Sequence, residues 1–289
     1  MIRRALQFSF TFSALFAAGL SVPLKATETV IPDSALIPST SLYSSSFGNV
    51  VVMTGGGNAP GIGDPTGRND DGFSGPINLG FSLNFFGTNY TQFWINNNGN
   101  ISFGNGIAAF TPVGPTGAPQ PIISPFFADV DTRGAGSGVV HLLQLSNEDI
   151  VTWDHVGYFS GNDDKLNTFQ LVLRGPDFSV PSDEGQIGFF YTTMQWETGD
   201  ASGGSGGFGG SPAAVGFGDG LGNGEVLQGS LQNGISGVVN DEHIWFDLSN
   251  GVPVTTGVPE PASVALLLAG ATALVIRHRK YSTKRDIQP

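Results

Sequence analysis

The chain of 289 residues carries a formal net charge of −12 and no cysteine. So acidic a surface repels phosphate backbones, which excludes nucleic acid as a partner, and without thiols the fold depends on its core and its strand pairing rather than on disulfides. Gly, at 43 residues, is about twice its usual ~7%, yet 22 Phe and 4 Trp exclude a disordered chain.

Residues 1–26 read as a secretory signal peptide: Arg3 and Arg4 form a basic start, and the stretch from Ala5 to Leu20 is mainly apolar or small. The body that remains, 27–257, holds 22 acidic side chains against four basic ones (Arg68, Arg133, Lys165 and Arg174), a net charge of −18. That balance suits solubility, divalent cations or cationic polymers. About 230 residues is enough for one all-β domain with a sizeable core.

Residues 27–76 are expected to form an N-terminal segment and a Gly-rich loop. Pro32 and Pro38 keep the entry extended, Val50 to Thr54 is a short strand candidate, and Gly55 to Gly75 is a loop that includes Asn69-Asp70-Asp71-Gly72. From Ile77 the pattern changes. Ile77, Leu79, Phe81, Leu83 and Phe85 alternate with Asn78, Gly80, Ser82 and Asn84, the period of a half-buried strand. Thr91 to Ile95 and Ile101 to Phe103 flank Asn96-Asn97-Asn98-Gly99-Asn100, residues that tolerate positive φ, and so predict a hairpin. Ile122 to Asp131 is an apolar run closing on two carboxylates. Further strands are predicted at Val139 to Leu145, Ile150 to Val156, Thr168 to Leu173, Gln186 to Trp196, Ala213 to Phe217, Glu225 to Gln228 and His243 to Leu248. No long 3.6-residue period appears, so residues 77–257 are expected to be all-β, a mainly antiparallel sandwich.

The tail, 258–289, reads Val258-Pro259-Glu260-Pro261, then fifteen uncharged residues from Ala262 to Ile276, then Arg277, Arg279, Lys280, Lys284 and Arg285. As a helix the run spans ~22 Å, short of a ~30 Å hydrocarbon core, though snorkelling basic side chains and local thinning let it hold a membrane. The basic cluster places this end in the cytoplasm and everything before it outside. The three parts resemble the PEP-CTERM sorting signal of exported Gram-negative bacterial proteins, which implies recognition and cleavage by an exosortase. A plain C-terminal membrane anchor is the alternative.

Motifs with catalytic spelling do not hold up. Gly203-Gly204-Ser205-Gly206-Gly207 matches G-x-S-x-G, and Gly204 to Gly209 matches G-x-G-x-x-G, but neither sits between a strand and a helix, and both read as loop. His141, His155 and His243 lack metal-ligand spacing, and His155 is expected on the same strand face as Trp153. Asp129 and Asp131 would share a strand face, with a Gly-rich turn beyond them, and are the candidate Ca²⁺ ligands. Turn capping, or pairing of Asp131 with Arg133, is the competing reading. Asp70, Asp71, Asp163 and Asp164 read as solvated loop acids that could also offer hard oxygen ligands.

Five motifs occur in order: Phe85-Phe86-Gly87, Trp94 to Phe103, Ile123 to Asp131, Val151 to Gly157 and Asn167 to Leu173. Together they resemble the nidogen-like (NIDO) extracellular domain over about Ile77 to Gln228. The resemblance implies a domain of matrix and adhesion proteins without established catalysis. No neighbouring module such as an EGF-like repeat is read, so a mosaic adhesion protein is not implied. The expectation is a cell-surface or extracellular-matrix structural or adhesion protein, not an enzyme, transiently anchored in the inner membrane and associated with exopolysaccharide. A carbohydrate-binding module using exposed Trp and Tyr is the alternative, and a secreted hydrolase ranks third.

Overall fold

The computed structural model describes residues 27–55 and 64–256. The leader at 1–26 and the sorting segment at 258–289 lie outside the described residues. Among the described residues no helix is long and apolar enough to cross a membrane.

Two packed sheets form an all-β sandwich. The first is built around a meander of four consecutive strands, β4 (Ile77–Phe85), β5 (Thr88–Asn96), β6 (Asn100–Ser102) and β7 (Pro121–Phe127). The second is built around another: β8 (Val140–Leu145), β9 (Glu148–Tyr158), β10 (Asn162–Arg174) and β11 (Ile187–Met194). The chain then returns to the first sheet with β12 (Ala214–Asp219) and β13 (Gly224–Leu227), and to the second with β14 (Glu242–Ser249) and β15 (Val252–Thr255). Near the N-terminus, β1 (Glu28–Ile31) pairs parallel with β13, β2 (Ile37–Pro38) pairs with β14, and β3 (Asn49–Val50) closes the free edge at β8. Residues 128–139 carry the chain from one sheet to the other. The short helix α1 (Ile235–Val239) precedes β14.

The alternation read in β4 is reproduced. Leu79, Leu83 and Phe85 are buried, Ile77 and Phe81 half-buried, and Asn78, Gly80, Ser82 and Asn84 exposed. The predicted 50–54 strand shortens to Asn49–Val50, while Val51 and Met53 still enter the core. β1, β2, β15 and α1 lie outside the elements expected from the sequence: all are short, β1 and β2 owe their pairing to the distant β13 and β14, and β15 folds back on β14 as a hairpin.

Aromatic rings join the two sheets. Phe189 of β11 stacks on Phe217 of β12 with centroids 5.2 Å apart, and Phe126 of β7 meets Phe169 of β10 at 5.6 Å. A second apolar cluster of Ile150, Val172, Phe190 and Trp245 lies on the outer face of the second sheet, where Leu42 and Tyr43 pack over it. β10 is therefore covered on both faces, and it is buried continuously from Asn167 to Arg174. Burial on both faces removes the polar alternation that marks β4.

Candidate functional site

The hairpin turn at Asn96–Asn100 is interior. Asn96, Asn97, Asn98 and Asn100 are all buried, with Gly99 at φ +74° pressed against β7, where an added Cβ would lie 1.9 Å from the Phe126 carbonyl oxygen. Only glycine permits that approach. The side chains of this turn reach the crossover: Asn98 Oδ1 accepts from Val130 N (2.9 Å), and Asn97 Nδ2 donates to the Val130 carbonyl (2.5 Å), while the Asn97 backbone carbonyl accepts from Trp153 Nε1 of β9 (3.1 Å).

On the other side of the crossover lies the loop that includes Asn69–Gly72. Asn69 N donates to Thr132 Oγ1 (2.7 Å), Thr132 N donates to the Asn69 carbonyl (3.0 Å), and Asp70 bridges Asp131 through the backbone. The Asn69 side chain accepts from Gly72 N (2.5 Å), which tightens the turn, and Asp71 takes φ 63°, a left-handed conformation that Asp tolerates. These bonds lay Asp70 and Asp71 beside Asp129. One carboxylate oxygen from each of the three lies within 4.8 Å of those of the other two.

The three acids are unequally partnered. Asp71 Oδ1 accepts from Asn98 Nδ2 (2.8 Å), and Asp70 Oδ2 pairs with Arg133 Nη2 (2.7 Å). Asp129 receives a long bond from the Ser202 hydroxyl (3.4 Å), and Gly199 packs so closely that an added Cβ would sit 2.4 Å from Asp129 Oδ2. Asp70 Oδ1 and Asp129 Oδ1 are buried without a hydrogen-bond partner, on side chains belonging to residues 3% and 1% exposed. Burial pushes the Asp70 carboxyl up to about 7, Asp71 and Asp131 add to this, and the Arg133 guanidinium offsets it only in part. Burial likewise raises Asp129 to about 7, reinforced by Asp71 and Asp70 and opposed by the Ser202 bond. Asp71 is also raised by burial, against its bond from Asn98.

Asp131 stands apart from this group. β7 ends at Phe127, so Asp129 and Asp131 do not share a strand face as expected. Asp131 Oδ1 accepts from Arg133 N (2.9 Å) and Nε (2.8 Å), while Oδ2 accepts from Arg133 Nη2 (2.6 Å) and Gly161 N (2.8 Å). Both of its oxygens are used, as in the pairing alternative. Asp70 and Asp71 are not solvated loop acids, because the loop folds inward onto the crossover. Asp163 accepts from Gly136 N (2.6 Å), and Asp164 accepts from the Tyr158 hydroxyl (2.7 Å) and Lys165.

His155 does not share a face with Trp153. It takes φ 47°, which interrupts the strand alternation and leaves it exposed beside Asp154 while Trp153 is buried. The 203–207 motif is loop as read: Gly203 terminates a short 3-10 turn, and Ser205 bridges Phe208. The sorting residues Val258, Pro259, Glu260, Pro261, Arg277, Arg279 and Lys280 lie outside the described residues.

Sandwich and crossover together define a class, an all-β domain whose two meanders are joined through a buried acidic knot. The chain belongs to the NIDO-related family, whose model matches residues 43–244. The match extends beyond the 77–228 motifs, from Tyr43 into β14, and Tyr43 packs on Trp245 of that strand. The chain is 33% identical over 178 residues to alpha-tectorin of Mus musculus, covering 51% of this chain and 8% of that protein. It is 32% identical to alpha-tectorin of Homo sapiens over 178 residues, with the same coverage, and 26% identical over 153 residues to nidogen of Drosophila melanogaster, covering 42% of this chain and 11% of that one. The chain thus spans only 8 to 11% of the length of these relatives. No solved structure matches it.

Proposed function

We propose that the protein is an exported bacterial cell-surface or extracellular-matrix component with a structural or adhesive role. The observation that carries this reading is the NIDO-related match, which coincides with nearly the whole sandwich. Resemblance to that family implies a matrix or adhesion domain without catalysis. The acidic body, held together without a single cysteine, is compatible with export in either redox state.

The finer reading rests on sequence. The signal-like leader and the tail from Val258 to Arg285 favour export followed by exosortase-type processing, and exopolysaccharide is the proposed neighbour at the surface. The carbohydrate-binding alternative is weakened by the position of its aromatic side chains. Trp153, Trp196 and Trp245 are buried and Trp94 is half-buried, which leaves little exposed indole for stacking on a sugar ring.

Cell fractionation and intact-mass analysis in an exosortase-bearing Gram-negative host test the proposal. The expected product is a surface or extracellular species ending near Val258-Pro259-Glu260-Pro261, and replacing Pro259, Glu260 and Pro261 with Ala leaves an uncut, membrane-retained form. A surface species that retains Arg277 to Arg285 overturns the processing step. A product confined to the cytoplasm overturns the whole reading.

A further inference from the structure

The partnerless oxygens at the crossover have a chemical direction. A buried carboxylate oxygen with no donor is costly, and here two of them occur on neighbouring acids, with a third carboxylate in reach. Two cations reach the crossover: Arg133 gives Nε and Nη2 to Asp131 and Nη2 also to Asp70, and Arg68 Nη1 donates to the Thr132 carbonyl (2.6 Å) and the Gly134 carbonyl (2.5 Å). Asp70, Asp71, Asp129 and Asp131 against Arg133 and Arg68 still leave a local excess of negative charge that a dication would offset.

We propose that Asp70, Asp71 and Asp129 bind a calcium ion that clamps the loop containing Asn69–Gly72 to the crossover between the two sheets. All three donors are hard carboxylate oxygens, and neither His nor a sulfur ligand belongs to the group. Calcium is favoured over magnesium by burial. Magnesium holds an octahedral shell and keeps several waters, whereas calcium accepts an irregular set of protein oxygens. Asp70 and Asp129, at 3% and 1% exposure, leave little room for a retained water shell. The nearby Asn98, already bonded to Asp71 and to the Val130 N–H, fixes the geometry of the group from the hairpin side. The ion would tie the 69–72 loop to the 128–132 crossover, and the 96–100 turn joins them through the Asn98 hydrogen bonds to Asp71 and Val130. This inference does not depend on the extracellular reading.

The test uses the purified full chain, stripped with EDTA and dialysed, titrated with CaCl₂ by calorimetry, and melted while near-ultraviolet circular dichroism is followed. One calcium ion per chain is expected, with Tm rising about 5–10 °C at a hundredfold excess over Kd. Asp129→Asn and Asp71→Asn should each lower affinity at least tenfold, whereas Asp183→Asn, at an exposed acid outside the group, should leave it unchanged. In EDTA the Asp129→Asn protein should melt no lower than the wild type, because a buried charge has been removed. Asp71, only half-buried, provides the second variant should Asp129→Asn fail to fold. No binding heat and no Tm change in the wild type overturn the site. Wild-type affinity in both variants overturns the ligand assignment, and an equal response to MgCl₂ overturns the choice of calcium. The mass analysis of the tail is unaffected by any of these results.

Discussion

The Arg174 guanidinium lies over the indole of Trp245, 4.2 Å from the ring centroid, in a position where Arg174 is 1% exposed. Its Nε donates to Glu148 Oε1 (3.0 Å), its Nη1 to the Gly185 carbonyl (3.0 Å), and its Nη2 to the Tyr43 hydroxyl (2.9 Å) and to Glu184. Tyr43 in turn donates to Glu148 Oε1 (2.9 Å). The arginine thus ties Tyr43, from the segment between β2 and β3, to the outer face of the second sheet beside Phe190 and Trp245.

Removing one partner of such a group leaves the other charge buried. Arg174→Met should cost ~3–5 kcal/mol in denaturant unfolding, because Glu148, at 4% exposure, loses its counter-charge. Replacing both, Arg174→Met with Glu148→Leu, should cost less than the single change. A double variant less stable than Arg174→Met would show that the pair is not coupled in this way.

Two glycines with similar backbone angles should respond differently to the same substitution. Gly87 takes φ +79° with nothing within 4 Å of where an added Cβ would stand, so Gly87→Ala should cost only the left-handed strain, ~1–2 kcal/mol. Gly99, at φ +74°, faces the Phe126 carbonyl, and Gly99→Ala should cost more than ~3 kcal/mol because the turn must also move off β7. Equal melting temperatures for the two variants would contradict the seating of the turn.

Asp149 provides a pH test away from the crossover. Burial pushes its carboxyl up to about 7, the Gln144 amide opposes this, and Glu148 adds to it. Its Oδ1 accepts from Gln144 Nε2 (3.0 Å), while Oδ2 is buried without a partner. Between the unfolded value near 4 and about 7, the folded chain holds a proton that the unfolded chain has lost. Stability from this group therefore falls as pH rises through that window and is level on either side. Asp149→Asn should remove this slope and stabilise the protein above pH 7 by about 1–3 kcal/mol relative to wild type. Stability curves that stay parallel from pH 4 to pH 8 would rule this out.

The sequence by itself determined the class of fold. Apolar alternation in Ile77–Phe85, an Asn- and Gly-rich hairpin turn and β-rich runs punctuated by turn residues are local properties, set by side-chain period and turn chemistry, and the two sheets form from them. The acidic pairs were visible too, as types of residue. Which of them meet was not. Asp129 and Asp131 are separated by one residue, yet one is saturated by Arg133 and the other lies with Asp70 and Asp71. That choice depends on where the chain leaves the first sheet and on a loop laid back against it by Asn69 and Thr132. The burial of Arg174 and of the Asn96–Asn100 turn has the same origin. A polar side chain shows its chemistry in the sequence, but its solvation and its partners come from segments far along the chain, and only the tertiary structure brings those segments together.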